Sequence, residues 1–171
     1  MSIERIDNLS IVSLKVSRES LESARDRLQL ASPLSAAGRD PRSLWLGPDH
    51  WLLVGISTTP DSIIKNCEET LADMLHNAVD YSAGLVVLRI AGPNARQLLA
   101  TGSGIDFRPE KFPHRTCCRT RLARIAAVIV AETPEQFDIY VDRSYGIYLN
   151  DWLTDASSIP AHAAAFQGSA T

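Results

Sequence analysis

Cysteine and long apolar stretches are scarce in this 171-residue chain, and each scarcity excludes a class of protein. The three cysteines, Cys67, Cys117 and Cys118, are too few and odd in number for a disulfide framework, and they fit a reducing compartment. The longest apolar run, residues 125–131, is too short for a transmembrane helix, which needs about 20 residues. Residues 1–5 lack the apolar core of a secretory signal. We therefore expect a cytoplasmic protein without a membrane span.

Excess positive charge is also missing. The chain has 17 Lys and Arg against 20 Asp and Glu, and its net charge of −3 argues against a strongly basic nucleic-acid-binding domain. Aromatic residues make up 6% and fall mostly at predicted inner positions, so a base-stacking platform is not expected. The hydrophobic share of 45% and the charged share of 22% are typical of a globular protein.

The first half of the chain alternates strand and helix patterns. Residues 9–16 alternate as in a half-buried strand, and a helix pattern follows. Two apolar runs flank Gly47-Pro48-Asp49, whose residue types favour a tight turn, and together they predict a β-hairpin. Thr59 is predicted to cap the N-terminus of a helix, and Pro60 is predicted to be its first residue. The apolar pattern predicts that this helix runs to about Asn77. The same half is expected to contain a loop over residues 31–43 and a linking strand near residues 79–81.

The second half repeats this order of elements. An apolar strand at residues 85–90 precedes a helix that is opened by Gly92-Pro93 and ended by Gly102. A hairpin around Thr133-Pro134-Glu135 is expected to join a long strand, residues 119–131, to a strand at residues 136–141. In that last strand, Asp138 and Tyr140 predict one face exposed to water. The final helix is expected to bury one stripe of side chains, formed by Tyr145, Tyr148, Leu149 and Trp152.

This order of elements predicts an α+β fold. We expect two pseudo-repeated β-α-β-β-α(-β) ferredoxin-like modules, at about residues 9–83 and 84–155, fused into one compact domain over residues 1–155. Neither half alone would bury much apolar surface. Residues 156–171 are small and unpatterned, and we expect a flexible tail.

The residue types that carry most catalysis and metal binding are poorly grouped. Cys117 and Cys118 lie near His114, but neighbours on a strand point to opposite faces, so a metal or redox role remains only an alternative. No Gly-x-Ser-x-Gly nucleophile motif is present, and Gly102-Ser103-Gly104 follows a helix pattern instead of opening one after a strand. We expect no catalytic, cofactor-binding or metal residues. The four histidines are scattered, with His76 expected at a helix end as a dipole partner: His50, His76, His114 and His162.

A basic segment and two tryptophans are the candidates for an interaction surface. Arg119 and Arg121 would share one strand face, where two guanidinium groups could bind a carboxylate or phosphate, although a solvated or interface face is favoured. Arg124 would take the other face. Trp45 and Trp51 fall at either end of the turn of the first hairpin, where aromatic side chains contact a partner or belong to the core. The candidates for a partner interface are therefore Trp45, Trp51, Arg119 and Arg121.

Four segments occur in a fixed order between residues 46 and 152. They are Leu46-Gly47-Pro48-Asp49 with Trp51-Leu52, Asp80-Tyr81-Ser82 followed by an apolar strand and Gly92-Pro93-Asn94-Ala95-Arg96, Asp106-Phe107-Arg108-Pro109 with Phe112-Pro113, and Phe137-Asp138-Ile139-Tyr140 leading to Trp152-Leu153. Together they resemble the gamma subunit family of heterotetrameric sarcosine oxidase. Many members have His where this chain has Ala83, so no role is assigned to that position.

The resemblance implies a fold related to the folate-binding fold of the glycine-cleavage T-protein. It also implies a complex of alpha, beta, gamma and delta subunits that oxidatively demethylates sarcosine and passes the one-carbon unit to tetrahydrofolate. FAD, FMN, NAD, tetrahydrofolate and zinc would belong to the partner subunits, and this chain would be a structural subunit without its own active site. The alternative is a small folate-binding aminomethyltransferase-like protein that acts alone, which rests on fold analogy.

Overall fold

The structure is a computed structural model, and it describes residues 1–158. The first strand is β1 (Ser2–Ile6). The elements that follow up to residue 80 are β2 (Ser10–Val16), α1 (Leu21–Leu28), β3 (Ala36–Gly38), β4 (Arg42–Gly47), β5 (His50–Gly55), α2 (Pro60–Thr70) and β6 (His76–Asp80). Those of the second half are β7 (Leu85–Ala91), α3 (Ala95–Gly102), β8 (Cys117–Leu122), β9 (Ile125–Thr133), β10 (Gln136–Asp142) and α4 (Gly146–Ser158).

The strands form two five-stranded sheets in which the paired strands are antiparallel. The N-terminal sheet has the order β3-β4-β5-β2-β6, and the C-terminal sheet has the order β1-β7-β10-β9-β8. Strand β1 was not predicted, and it joins the C-terminal sheet by pairing Ser2 with Ala91 and Ile6 with Val87. The mixed α and β architecture expected from the sequence is confirmed.

The two sheets pack face to face, and helices cover their outer faces. The layer between the sheets contains buried side chains from both, including Ile11, Leu44, Val87, Val128 and Tyr140. Helices α1 and α2 pack on the outer face of the N-terminal sheet, and α3 and α4 pack on that of the C-terminal sheet. The result is a four-layer α/β/β/α sandwich, in which each sheet buries both of its faces.

Burial of both sheet faces overturns the predicted wet face of β10. Asp138 is 3% exposed and Tyr140 is 1% exposed, because the N-terminal sheet covers the face that they share. Phe137, Ile139 and Val141 pack on the other face against the helices, as the alternation predicted. The period of two in the sequence is real, but it separates two buried faces instead of a buried face and a wet one.

The first hairpin and the start of α2 agree with the prediction, but the end of α2 does not. Thr59 Oγ1 accepts a hydrogen bond from the Ser62 N–H, and Pro60 is the first helical residue. The helix ends at Thr70 instead of continuing to about Asn77, and Leu75, which falls within the predicted helix, is 79% exposed. The chain leaves the helix because residues 76–80 form β6, whose backbone pairs with β2.

The predicted strand at residues 119–131 is two strands. Ala123 and Arg124 form the turn between β8 and β9, with φ values of 48° and 71°. Left-handed backbone at both central positions suits a tight hairpin turn, but that turn usually contains Asn or Gly, so the sequence carries no turn signal here. Likewise, the predicted loop at residues 31–43 contains the short strand β3.

Helix α4 buries part of the predicted stripe, because Leu149 lies in the core and Trp152 packs against it, but the two tyrosines are not buried. Leu149 and Leu153 are fully buried, whereas Tyr145 and Tyr148 are 47% and 46% exposed. Tyr145 belongs to a 3-10 turn, Arg143–Tyr145, that precedes the helix, and Asp142 Oδ1 accepts a hydrogen bond from the Ser144 N–H. The helix continues to Ser158, past the predicted start of the tail at residue 156, and residues 159–171 lie outside the described residues. Over residues 1–158, no helix combines the length and the apolar character that crossing a membrane requires.

Candidate functional site

A cluster of charged residues lies in the layer between the sheets. Arg42 on β4 donates hydrogen bonds to both carboxylate oxygens of Glu132 on β9, and its Nη2 donates to the Tyr140 hydroxyl at 3.0 Å. On the same side, Arg89 binds Asp138 through two hydrogen bonds of 2.6 Å and 2.9 Å. Two arginines therefore neutralise two carboxylates inside the sandwich, and the cluster joins the two sheets.

The pKa values in this cluster follow from burial and pairing. Burial alone would lower the pKa of Arg42, but the neighbouring Tyr140 and Glu132 outweigh burial and raise it. Burial raises the pKa of Glu132 against the opposing effect of Arg42, and burial also raises the pKa of the Tyr140 hydroxyl. Arg42 stays charged, and both Glu132 and the Tyr140 hydroxyl accept its hydrogen bonds. We therefore interpret the cluster as a structural link between the sheets.

A cleft of about 480 Å³ opens between the sheets, and we call it the inter-sheet cleft. Its N-terminal-sheet wall contains Ser13, Lys15 and His50, and its C-terminal-sheet wall contains Arg119 and Tyr140. Lys15 and His50 are directly opposite each other on β2 and β5, and Ser13 Oγ lies 2.9 Å from His50 Nε2.

The electrostatics of the cleft depend on two cations. Burial lowers the pKa of His50 below 6.5, and the positive charges of Lys15 and Arg119 lower it further. His50 is therefore neutral at pH 7, and Lys15 and Arg119 supply the positive charge. The exposed rim also includes Tyr81 and Tyr145, which are 41% and 47% exposed.

A second, smaller cavity of about 220 Å³ adjoins the charged cluster. Arg42 and Glu132 line its inner end, and the exposed residues Arg39, His114 and Arg115 line its mouth. Arg115 precedes Arg119 by only four residues in the sequence, but it lies at a different cavity. Of these two arginines, Arg119 lines the inter-sheet cleft and Arg115 lines the second cavity.

The adjacent cysteines point to opposite faces of β8, as predicted. Cys117 lies in the layer between the sheets, and Cys118 lies in the layer beneath the helices. Burial raises the pKa of Cys117 to about 12 and that of Cys118 to about 11, so both are thiols at neutral pH. In the part of the chain that the structure describes, no group of three or more His, Cys, Asp or Glu side chains could hold a metal ion.

The residues predicted for a partner interface are distributed over different surroundings. Trp51 is 1% exposed, and its Nε1 donates a hydrogen bond to the Ala31 carbonyl at 2.9 Å. Its assignment to an interface is therefore wrong, because the indole is part of the core beneath α1 and α2. Trp45, paired with Trp51 in the hairpin, is partly buried, whereas Arg119 and Arg121 are exposed on the edge strand β8.

The remaining sequence candidates occupy ordinary structural positions. Arg124 lies in the β8–β9 turn and not on a strand face. His76 is the first residue of β6 instead of a helix-end residue, and its Nδ1 lies 3.0 Å from the Met74 carbonyl oxygen. Gly102 ends α3 as predicted, and Trp152 packs against it. His162 lies outside the described residues.

Sequence reasoning did not identify the charged cluster, although the sequence contains a signal for it. Arg89 interrupts the apolar run of β7, and Asp138 interrupts that of β10. A charged residue in an otherwise apolar strand indicates a buried ion pair, because an unpaired charge is costly to bury. The two residues are opposite each other in the sheet register. What no local pattern revealed is that Arg42 approaches from the other sheet.

Comparison with known proteins identifies relatives over most of the chain. The profile of the sarcosine oxidase, gamma subunit family matches residues 22–159. The sarcosine oxidase subunit gamma of Corynebacterium sp. (strain U-96) is 28% identical over 115 residues, covering 67% of this chain and 55% of that protein. That of Arthrobacter sp is 28% identical over 129 residues, covering 75% and 62%. The chain thus spans somewhat more than half the length of these curated relatives.

Solved structures show that the fold is shared more widely. A chain of heterotetrameric sarcosine oxidase from Corynebacterium sp. U-96, in complex with pyrrole 2-carboxylate, matches with a TM-score of 0.80 and 23% identity, covering 92% of this chain and 83% of that one. The glycine cleavage system aminomethyltransferase T from Bartonella henselae matches with a TM-score of 0.67 and 12% identity, covering 91% and 45%. At these identities the likeness concerns the fold.

Proposed function

Because the chain belongs to the sarcosine oxidase gamma subunit family, we propose that it is a non-catalytic structural subunit of a flavin-dependent complex that oxidises sarcosine or a related N-methyl amino acid. The observation that carries this proposal is the family match over residues 22–159. In the proposed complex, alpha, beta and delta subunits are the partners, and they hold FAD, FMN, NAD, tetrahydrofolate and zinc. The proposed location is the cytoplasm.

The chemistry of the interior supports a structural role. The charged side chains between the sheets are paired with one another, and Arg42 and Arg89 each bind a carboxylate. The Cys117 and Cys118 thiols are buried and protonated at neutral pH. A general base or nucleophile must be free to reach a substrate, whereas these charged groups are paired and these thiols are buried. Such groups stabilise the fold instead.

The surface around the start of α4 supports a partner. Tyr145, Ile147 and Tyr148 are 47%, 81% and 46% exposed within four consecutive residues. The Tyr148 hydroxyl donates a hydrogen bond to the Ala123 carbonyl at 2.9 Å, so this surface reaches the β8–β9 turn. We name the surface formed by Tyr145, Ile147 and Tyr148 the α4 patch. Exposed apolar groups of this kind mark protein–protein contacts when they cluster. Arg119, Arg121 and Trp45 remain separate candidates for a partner interface, since Trp45 packs on the outer face of the other sheet.

The sheet orders support the proposed pseudo-repeat. We propose that residues 9–83 and 84–155 are two ferredoxin-like units, in which β3-β4-β5-β2 correspond in order to β8-β9-β10-β7. In this scheme β6 completes the first sheet, and β1 occupies the matching edge of the second. The N-terminal strand thus supplies to the second unit the edge strand that its own sequence does not.

The alternative is a small folate-binding aminomethyltransferase-like protein that acts alone. The fold shared with the aminomethyltransferase T is the observation in its favour, but the match covers only 45% of that enzyme. A shared fold is weak evidence for a shared activity, because function depends on the site. The structural-subunit proposal is therefore preferred.

Co-expression tests both proposals. The tagged chain is produced with the alpha, beta and delta subunits of its own host, and the purified material is analysed by mass photometry and assayed for sarcosine oxidation. We expect the four chains in equal amounts, and we expect that omitting this chain prevents assembly. Full assembly and activity without it would contradict the structural role, whereas aminomethyl transfer by the isolated chain would establish the alternative.

A further inference from the structure

We propose that the inter-sheet cleft binds a small organic carboxylate that has a planar, apolar ring. The cleft lies between β2 and β5 on one side and β8, β9 and β10 on the other, and its volume of about 480 Å³ is in the usual range for ligand pockets, about 300–1,000 Å³. The rim of this site shares Tyr145 with the α4 patch, but its charged residues lie on β2 and β8, and the proposal does not depend on the proposed structural function.

The charges of the cleft select an anion. Lys15 and Arg119 enter from different sheets, both are exposed, and neither takes part in an ion pair within residues 1–158. Both are near enough to His50 to lower its pKa, so they act on the same space. Asp142, the acidic residue of the lining, stays ionised because the N–H and hydroxyl of Ser144 donate hydrogen bonds to its Oδ1 and lower its pKa, so the cleft lining has two cations against one carboxylate.

The form of the cationic groups favours a carboxylate. Arg119 has a planar guanidinium that can donate two parallel hydrogen bonds to the two oxygens of a carboxylate. Phosphate sites usually surround the anion with consecutive backbone N–H groups at a helix N-terminus or a glycine-rich turn. The cations of this cleft come instead from two strands, Lys15 from β2 and Arg119 from β8.

The walls of the cleft favour a flat apolar body. Leucines and valines from both sheets line it, including Leu46, Leu52, Val128 and Val141. The Tyr140 ring also lines the cleft, while its hydroxyl accepts a hydrogen bond from Arg42 in the interior. A ligand ring between these walls would place its carboxylate toward Lys15 and Arg119. Ser13 and the neutral His50 add hydrogen-bonding groups at the same end.

Three probes of equal shape and different charge test the proposal. The full-length chain is titrated with 2-naphthoate, 2-naphthalenemethanol and 2-naphthylmethylamine, followed by calorimetry and by amide chemical shifts. We expect saturable binding of naphthoate with a Kd on the order of 10–500 μM, and at least about tenfold weaker binding of the alcohol and the amine. The shifts are expected at Ser13, His50 and Arg119.

Matched variants locate the site. Arg119→Gln and Lys15→Gln are each expected to weaken naphthoate binding about five- to tenfold, because each removes one charge-assisted contact. Arg121→Gln is the control, since Arg121 is equally exposed on β8 but does not line the cleft. All three positions are on the surface, and unchanged circular dichroism verifies the fold of each variant.

Several results would overturn the proposal. Equal binding of the three probes, no saturable binding of naphthoate, or equal effects of Arg119→Gln and Arg121→Gln would each reject a carboxylate site in the cleft. Binding by the isolated chain that disappears in the assembled complex would also reject it, and would assign the cleft to a partner segment. Assembly is measured without any probe, so failure here leaves the proposed structural function unaffected.

Discussion

Arg89 and Asp138 are directly opposite each other on β7 and β10, and the guanidinium binds the carboxylate through hydrogen bonds of 2.6 Å and 2.9 Å. The Asp138 side chain is 4% exposed, and the Arg89 side chain is 29% exposed. Arg42 of the other sheet lies 3.8 Å from the same carboxylate. Asp138 therefore balances positive charge from both sheets, which makes it the most sensitive member of the charged cluster.

We expect Asp138→Asn to destabilise the chain strongly. The substitution keeps the shape of the side chain but removes the negative charge that Arg89 and Arg42 share. We expect the free energy of unfolding to fall by about 2–4 kcal/mol. The loss is smaller than for a fully buried ion pair because Arg89 is partly exposed. Urea unfolding measures it. Asp106→Asn is the control, because Asp106 pairs with Arg108 on the exposed surface, and we expect no measurable change there. Equal stability of the two variants would contradict the structural role of the cluster.

The packing of Gly102 gives a second prediction. A Cβ at this position would lie 2.5 Å from Trp152 Cη2 and 3.0 Å from Leu122 Cδ1. We expect Gly102→Ala to destabilise the chain by about 1–2 kcal/mol, because the overlap outweighs the gain in helix propensity. Gly104→Ala is the matched control, since nothing lies within 4 Å of its Cβ. Thermal unfolding compares them, and a Gly102→Ala variant as stable as the parent would show that Trp152 moves aside freely.

His50 predicts a dependence of stability on pH. Burial, followed by the charges of Lys15 and Arg119, holds its pKa in the folded chain below 6.5, whereas the unfolded chain protonates His50 near 6.5. Between these two values the unfolded state binds more protons, so the folded state loses stability as the pH falls below about 6.5.

We therefore expect His50→Gln to reduce the loss of stability on the acid side. Unfolding midpoints in urea between about pH 7.5 and pH 5 measure the slope for the parent and the variant. His114→Gln is the control, because His114 is exposed in the loop before β8. A parent-like slope in His50→Gln would mean that another group causes the acid sensitivity.

The α4 patch predicts where assembly is most easily disrupted. Ile147 is 81% exposed, so Ile147→Glu should leave the isolated chain as stable as the parent while placing a charge in the proposed interface. We expect recovery of the partner subunits in a pull-down to fall at least about tenfold, since one buried unpaired charge costs several kcal/mol. Ile56→Glu, at a residue that is 74% exposed elsewhere, is the control. Undiminished recovery with Ile147→Glu would place the interface on another surface.

Local structure was predictable where residue types restrict the backbone. Pro48 and Asp49 indicated the first hairpin, and Thr59 and Pro60 indicated the start of α2. The strand β7 and the helix α3 followed from apolar runs and from the glycines beside them. The β8–β9 turn escaped prediction because Ala123 and Arg124 adopt left-handed conformations that their residue types do not indicate.

The candidate sites were less predictable because they depend on contacts between distant segments. Arg42 and Glu132 are 90 residues apart, and Lys15 and Arg119 come from different sheets. Their side chains meet only because the two sheets pack face to face. For the same reason Trp51 was misassigned to a surface, since an aromatic residue in a hairpin looks the same whether or not helices cover it.

The sequence by itself determined the periodicity of the strands, the caps and turns with distinctive residues, and the segments that resemble the gamma subunit family. Only the tertiary structure decided that β1 pairs with β7, that Asp138 and Tyr140 are buried, and that a cleft forms between Lys15 and Arg119. The physical reason is that backbone preferences act within a few residues, whereas burial and charge pairing depend on which sheet faces meet.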